Sequence, residues 1–197
     1  MTAQELLERL NLLDENERIE AKRADEVGKS LLETVCAFAN EPGLGGGWLL
    51  LGVTRDELAL FPAYEIQGLD HPDKISADLA SQAASIFNRP LRLDIQAEVL
   101  DGKAVIAVFV PEAAPQDKPL YLKAQGLPRG AFRRIGSTDQ HCSEDDLIAL
   151  YQGRQHESFD AGLVPDCTFV YFSPEAFADS RQFFFFLMIR RPPRSTP

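Results

Sequence analysis

The sequence predicts an α+β fold, a mixed sheet with packed helices, and three observations carry that prediction. Two N-terminal stretches, residues 2–13 and a stretch that ends near Asn40, space their apolar residues three and four positions apart, as amphipathic helices do. The run GWLLLGV, residues 47–53, is continuously apolar and has the length of a buried strand. Asp101 and Gly102 separate two strand-like segments, and this dipeptide is a strong hairpin signal. Helices and strands therefore mix along one chain.

The first two helices have recognisable limits. The leucines of residues 2–13 fall on one helical face, and a short, charged, extended segment follows over residues 16–24. We expect the second helix to begin with Asp25 as its N-cap. It should end near Asn40, because Pro42 and the glycines after it cannot continue a helix.

The remaining elements follow from apolar periodicity and turn residues. At residues 143–152 the Ser-x-x-Asp spacing resembles a capping box, in which Asp replaces the usual Glu. The predicted elements after residue 53 are a helix over 75–87, hairpin strands over 91–100 and 103–111, short strands over 120–123 and 131–135, and a helix over 143–152.

The glycine-rich loop, residues 43–47, does not match a nucleotide-binding motif. A dinucleotide fingerprint needs a third glycine where this chain has Trp48. That motif also follows a strand and precedes a helix, whereas the loop of this chain follows a predicted helix and precedes a predicted strand. Gly28, Lys29 and Ser30 could end a P-loop, but Arg23 stands where its first glycine should be. The glycines therefore predict a helix stop and a tight turn into a buried strand.

Charge limits the kinds of partner that this chain can bind. The 197 residues carry a net charge of −10, and residues 1–181 carry 17 basic and 30 acidic residues, a net of −13. This mean charge opposes the approach of a polyanion, so contact with nucleic acid would need a local basic patch or bound metal ions.

Composition also indicates a compartment. Three cysteines without a CxxC pair favour a reducing cytoplasm, and neither a secretory signal nor an apolar run of membrane-spanning length is visible. We therefore expect a cytoplasmic protein that does not bind membranes. Residues 182–197 follow neither amphipathic nor turn logic, and we interpret them as a sequence artefact.

Four motifs in order resemble one known family. They are IEAKRA at 19–24, ETVCAFANEPGLGGGWLLLGV at 33–53, KPLYLK at 118–123 and GAFRRIGST at 130–138. Together they resemble the Schlafen/AlbA-like DNA-binding domain family over residues 15–151. In prokaryotes this domain lies at the N-terminus of multidomain transcriptional regulators and RecG-like ATP-binding proteins.

The resemblance implies a domain organisation and a partner. Residues 1–155 would form the Schlafen AlbA-like nucleic-acid-binding domain, including the helix at 2–13. Residues 156–181 would be a linker or the start of a further C-terminal region. The partner would be DNA or RNA, with DNA favoured and no cofactor needed for binding, and a homo-oligomer is left open.

Some eukaryotic relatives are metal-dependent endoribonucleases with three carboxylates, which gives an alternative function. Carried over by position, the catalytic and metal-binding candidates are Glu15, Glu20 and Asp56, with Mg²⁺ or Mn²⁺ as the cofactor. This chain reads Arg-Asp-Glu around Asp56, where the family often has Asp-Asp-Gly. The same carboxylates would also suit a solvated acidic edge. A protein-interaction module, which fits the net charge of −13, is a further alternative.

Six basic residues in the matched motifs are candidates for nucleic-acid contact. Arg133 and Arg134 are adjacent on a predicted strand, so alternation should send them to opposite faces, where either one could pair with an acid instead. Tyr121 and Phe132 could stack on bases or belong to the core. The six candidates are Lys22, Arg23, Lys123, Arg129, Arg133 and Arg134.

Overall fold

A computed structural model describes residues 1–24 and 27–160, with the side chains of those up to residue 153. Its helices are α1 Ala3–Leu13, α2 Lys29–Asn40, α3 Pro72–Ser85 and α4 Glu144–Asp160, and a short 3₁₀ helix covers Pro115–Asp117. Its strands are β1 Ile19–Lys22, β2 Gly46–Leu51, β3 Val53–Arg55, β4 Tyr64–Ile66, β5 Asp94–Leu100, β6 Lys103–Pro111, β7 Phe132–Ile135 and β8 Thr138–His141. Met1–Glu157 form one compact unit, and Ser158–Pro197 are assigned to a second.

The main sheet has four strands in the order β1-β2-β6-β5. Strands β1 and β2 are parallel, whereas β2 pairs antiparallel with β6, and β6 with β5. Two separate hairpins, β3–β4 and β7–β8, complete the strands. This mixed sheet with packed helices confirms the predicted α+β class.

Both faces of the sheet are covered, which explains why β2 is apolar throughout. Leu49 and Leu51 belong to one core cluster with residues of α2 and α3. Leu50 points the other way and joins Leu6 and Leu10 of α1 in a second cluster. The sheet therefore lies between α2 and α3 on one side and α1 with the β3–β4 hairpin on the other.

Several local predictions are confirmed. Helix α1 occupies the predicted stretch, and a capping box that was not predicted begins it, because Thr2 Oγ1 accepts from the Glu5 N–H at 3.2 Å and the Thr2 N–H donates to Glu5 at 2.9 Å. Strands β5 and β6 pair from Leu100 and Lys103 outward, around the predicted turn. Asp146 and Ser143 cap α4 reciprocally. Helix α2 ends at Asn40 as expected, and the chain after the glycine loop enters β2.

The predicted start of α2 is wrong. The helix begins at Lys29, its N-cap is Gly28, and none of the described side chains caps it. Asp25, the predicted cap, lies outside the described residues.

The apolar run 47–53 forms two strands and not one. Gly52 has a φ of +87°, and a Cβ there would meet the Leu69 Cγ at 3.0 Å. A glycine is therefore required at this bend, which ends β2 and begins β3 in a separate hairpin.

The predicted strand at 120–123 is also wrong. Only Leu122 forms a bridge there, to Phe87. Side-chain amides satisfy the neighbouring backbone instead, because the Leu120 N–H donates to Asn40 Oδ1 at 2.7 Å and the Tyr121 N–H donates to Asn88 Oδ1 at 2.8 Å. Strands β4 and β8 were not predicted, and α4 extends to Asp160, beyond its predicted end.

Membrane insertion finds no support in this part of the chain. Among residues 1–24 and 27–160, none of the helices combines the length and the apolar character that crossing a membrane requires.

Candidate nucleic-acid interface

Positive charge is concentrated between residues 118 and 138. These 21 residues include five basic residues and no acidic residue, although the whole chain has 30 acidic residues. They connect the 3₁₀ helix to β8 and include β7. We call them the acid-free stretch. All five charged side chains of this stretch are cations, and the fold decides which of them reach solvent.

The first part of the acid-free stretch is a loop with a defined shape. The Leu122 N–H donates to the Gly130 carbonyl at 2.9 Å and closes the loop at its base. Gly126 is bonded to both ends, because its N–H donates to the Leu122 carbonyl at 3.1 Å and its carbonyl accepts from the Gly130 N–H at 2.6 Å. We call residues 123–129 the basic loop, and its backbone is held by these bonds.

Lys123 and Arg129 lie at the two ends of the basic loop, and both are exposed. Among the side chains that the structure describes, no carboxylate lies within ion-pair distance of either cation. Leu127, between them in the loop, is also exposed. The loop therefore presents to solvent an apolar side chain and two positive charges that have no ion-pair partner among the described side chains.

Two asparagines attach the acid-free stretch to the core. The amide nitrogen of Asn40, fully buried at the end of α2, donates to the carbonyls of Leu120 and Phe132, both at 2.8 Å. Asn88 donates to the Pro119 carbonyl at 3.2 Å. These contacts, which the sequence analysis missed, fix the base of the basic loop. The signal was a polar residue inside the buried run VCAFAN.

Arg133 is half-buried and connects β7 to two other parts of the chain through ion pairs. Its guanidinium forms a two-pronged contact with Glu41, at 2.9 Å from Nη2 to Oε1 and 3.3 Å from Nε to Oε2. Asp146 of α4 accepts from its third nitrogen. The hydrogen bond with Glu41, and then that with Asp146, raise the pKa of Arg133 above its ordinary value. β7 is thereby tied to the end of α2 and to α4.

Arg134 is buried on the opposite side of β7, as strand alternation predicts. Its side chain has no exposed area, and its Nη1 donates to Glu20 and to Asp139, the latter at 2.8 Å. Its Nη2 donates to the Asn16 carbonyl at 2.9 Å, and the guanidinium lies 5.0 Å from the centre of the Phe38 ring. Arg134 therefore crosslinks β7, β8 and β1 inside the protein.

The remaining two basic candidates lie at the end of β1. The Lys22 Nζ is 2.5 Å from Glu20 Oε1 and 3.1 Å from Ser30 Oγ. Arg23 follows it and is exposed. Of the six candidates, Lys123 and Arg129 are thus close in the fold, whereas Lys22, Arg133 and Arg134 form ion pairs with acidic residues.

The three carboxylate candidates have different surroundings. Glu15 accepts from the Ala21 N–H at 3.1 Å, and burial, followed by the charge of Glu20, raises its pKa against the effect of that hydrogen bond. Glu20 is buried and engaged by Arg134 and Lys22. Asp56 lies in the turn after β3, where it accepts from the Leu58 N–H at 2.9 Å.

These surroundings do not fit a divalent cation. In the described ranges, no three His, Cys, Asp or Glu residues are placed to hold a metal ion together. A guanidinium and an ammonium bind the oxygens of Glu20 that a cation would need free. Asp139, which the sequence analysis did not single out, is the second carboxylate on Arg134, and it also contacts Thr34.

Comparisons with known proteins find one matching family and similar solved structures. The family described as Schlafen, AlbA_2 matches residues 15–143. The N-terminal domain of a RecG-related protein from Nitrosomonas europaea, solved by NMR, is 54% identical, covering 73% of this chain and 94% of that one, with a TM-score of 0.61. The DIP2311 protein from Corynebacterium diphtheriae is 17% identical over 84% of this chain and 33% of its own, with a TM-score of 0.43. No curated protein gave a significant match.

Proposed function

This chain belongs to the Schlafen AlbA_2 family, and from that premise we propose that it is a DNA-binding module of a prokaryotic transcriptional regulator. One observation carries the proposal. The basic loop exposes Lys123 and Arg129 with no carboxylate in ion-pair distance among the described side chains. Such cations bind phosphate oxygens without first breaking an internal ion pair.

The net charge of −10 does not prevent a contact of this kind. Salt at physiological strength screens exposed charges beyond about 8 Å, so a phosphate at the loop responds mainly to nearby groups. The acid-free stretch keeps acidic residues out of the neighbouring sequence. Binding should therefore be local, weak in its nonspecific component and sensitive to salt.

The shape of the loop supports the same function. Its backbone hydrogen bonds hold Lys123 and Arg129 on the two sides of the point where the loop closes. Little ordering of the loop is therefore needed when these residues contact a phosphate backbone. Leu127 lies between them in sequence and can add an apolar contact to a sugar or a base. The loop as a whole would position the module on nucleic acid rather than read its sequence.

The choice of DNA rests on the relatives. The Nitrosomonas protein is named for its relation to the DNA helicase RecG, and its N-terminal domain is 54% identical to this chain. A role in transcriptional regulation rests on the family resemblance of the motifs.

The test is a binding titration of the full chain with labelled single- and double-stranded DNA and RNA across a salt series. We expect the logarithm of the affinity for DNA to fall linearly with the logarithm of the salt concentration. K123A/R129A should lower the slope by about two, because each lost phosphate contact removes a slope of about 0.9.

The matched control is R9A/K74A, which removes the same net charge from two other exposed positions. It should keep the slope of the wild type. An equal loss in both double variants would mean that only net charge matters, and absence of binding would contradict the proposal. Tighter binding of RNA would replace DNA as the partner.

The same reactions can test the nuclease alternative. They are run with Mn²⁺ and with EDTA, and the strands are inspected for cleavage. If the chain only binds nucleic acid, the labelled strands stay intact in both reactions. Cleavage that requires the metal and is lost in both E15Q and E20Q would assign the chain to the nuclease class.

A further inference from the structure

The glycine-rich loop forms an anion cradle that an internal side chain occupies. The Gly43 N–H donates to Glu112 Oε1 at 3.0 Å, and the Gly45 N–H donates to Glu112 Oε2 at 2.7 Å. The Nζ of Lys118 lies 2.5 Å from Glu112 Oε1. Two backbone N–H groups and an ammonium therefore converge on one carboxylate, which is the donor arrangement of a backbone anion-binding nest.

Lys118 makes this cradle more than a feature of the loop. Its side chain is only 4% exposed, whereas that of Glu112 is 21% exposed. A buried ammonium is costly unless an anion accompanies it, so this position needs a negative group. Glu112 fills the need from the solvent side, where it can leave.

Glu112 is held as a carboxylate. Burial raises its pKa, but hydrogen bonds from Lys118, Gly45 and Gly43 outweigh burial and leave the pKa below its ordinary value. The cradle thus has a charged occupant that another anion would have to displace.

A cavity adjoins the cradle. Its volume is about 270 Å³, and Gly43, Glu112 and Lys118 are among the residues that line it. Pro42, Pro115 and Leu150 are among the residues of its other walls. A ligand with an anionic head and an uncharged body fits a lining of this composition. Pockets that hold drug-sized ligands have volumes of about 300–1,000 Å³, so this smaller cavity suits a ligand below that size.

We propose that this cavity binds a small phosphate monoester, whose phosphate group displaces the Glu112 carboxylate from Gly43, Gly45 and Lys118. The ligand must compete with a tethered carboxylate, and a second carboxylate would gain no contact over it. A phosphate monoester brings three terminal oxygens and nearly two negative charges to the same donors. The basic loop takes no part in this site, so the proposal is independent of DNA binding.

The experiment follows the amide signals of Gly43 and Gly45 by NMR in the full chain. The probes are inorganic phosphate, phenyl phosphate and benzoate. We expect saturable shifts with both phosphates, tighter binding of phenyl phosphate because of the apolar walls, and no saturation with benzoate. K118M should abolish the shifts.

E112Q provides the second variant, because it weakens the internal competitor without removing the donors. It should bind phenyl phosphate more tightly by about tenfold, as expected when most of the native cradle is closed. Unchanged amide spectra elsewhere would show that the variants fold.

Three results would overturn the proposal. The first is no saturable shift in the native chain, even if E112Q binds, since the cradle would then serve Glu112 alone. The second is equal affinity of E112Q and the native chain, which would place the site elsewhere. The third is binding of benzoate as tight as that of phenyl phosphate, which would make the ligand class carboxylate.

Discussion

The basic loop and strand β7 both lie in the acid-free stretch and carry two cations each, but the surroundings of these cations differ. In the basic loop, Lys123 and Arg129 face solvent. In β7, Arg133 and Arg134 bind carboxylates that come from other parts of the chain. Those carboxylates are Glu20 on β1, Glu41 after α2, Asp139 on β8 and Asp146 on α4. A run without acids in sequence is therefore not a basic surface until the fold has placed the acids of other segments.

The largest expected effect of breaking this difference is at Arg134. R134A removes a fully buried guanidinium and leaves Glu20 and Asp139 without their shared cation. We expect the free energy of unfolding to fall by about 3–5 kcal/mol, because Asp139 keeps no cation among the described side chains and the buried Glu20 keeps only Lys22. Urea denaturation measures this loss. A cost within about 0.5 kcal/mol, which is usual for surface sites, would show that the Arg134 network does not hold the fold.

An intermediate effect is expected at Arg133. R133A breaks the contacts to Glu41 and Asp146, but all three side chains retain some exposure. We expect a loss of about 1–2 kcal/mol, since solvent screens part of the interaction. Urea denaturation of R133A and R134A under the same conditions shows which variant loses more unfolding free energy. If R133A cost as much as R134A, burial would not be what separates them.

Acid should weaken β7 and leave the cations of the loop unchanged. Burial raises the pKa of Asp146, but hydrogen bonds from Ser143 and Arg133 outweigh it and lower the pKa below its ordinary value of 3.8. A carboxyl whose folded pKa is depressed stabilises the fold above its unfolded pKa and loses that contribution as pH falls through the folded value. The urea concentration at the unfolding midpoint should therefore decrease as the pH is lowered below about 4, and this decrease should be smaller in D146N. Identical pH profiles for D146N and the wild type would contradict this assignment.

The smallest effect on stability is expected in the basic loop. K123A/R129A removes exposed side chains that have no ion-pair partner among the described residues, so the free energy of unfolding should change by less than about 0.5 kcal/mol. Thermal unfolding checks this value. A larger loss would mean that these side chains support the loop, and the loss of DNA affinity would then lose its simple meaning.

Local signals could be read from the sequence, and distant pairings could not. The helix over residues 2–13, the turn at Asp101 and the Ser143 cap depend on residues a few positions apart, and all three are confirmed. The family was also recognisable, because its motifs are contiguous. The pairing of Arg134 with Glu20 was not recognisable, since the two residues lie 114 positions apart.

The same limit explains the errors in the fold. Residues 120–123 have the composition of a strand, but Asn40 and Asn88 supply their hydrogen bonds in place of a neighbouring strand. The sequence likewise does not show which of the basic candidate residues face solvent. Six basic residues stood in the motifs, and only packing distinguishes Lys123 and Arg129 from those that are paired.

Helix α1 has a practical consequence for anyone who prepares this domain. The family match starts at residue 15, whereas Leu6 and Leu10 of α1 are fully buried against the sheet. A fragment trimmed to the family boundary would uncover Leu50, Val105 and Ala107 on that face. We expect such a fragment to expose an apolar face and to aggregate. The segment needed for a stable fold therefore includes α1 and is longer than the range that the family match covers.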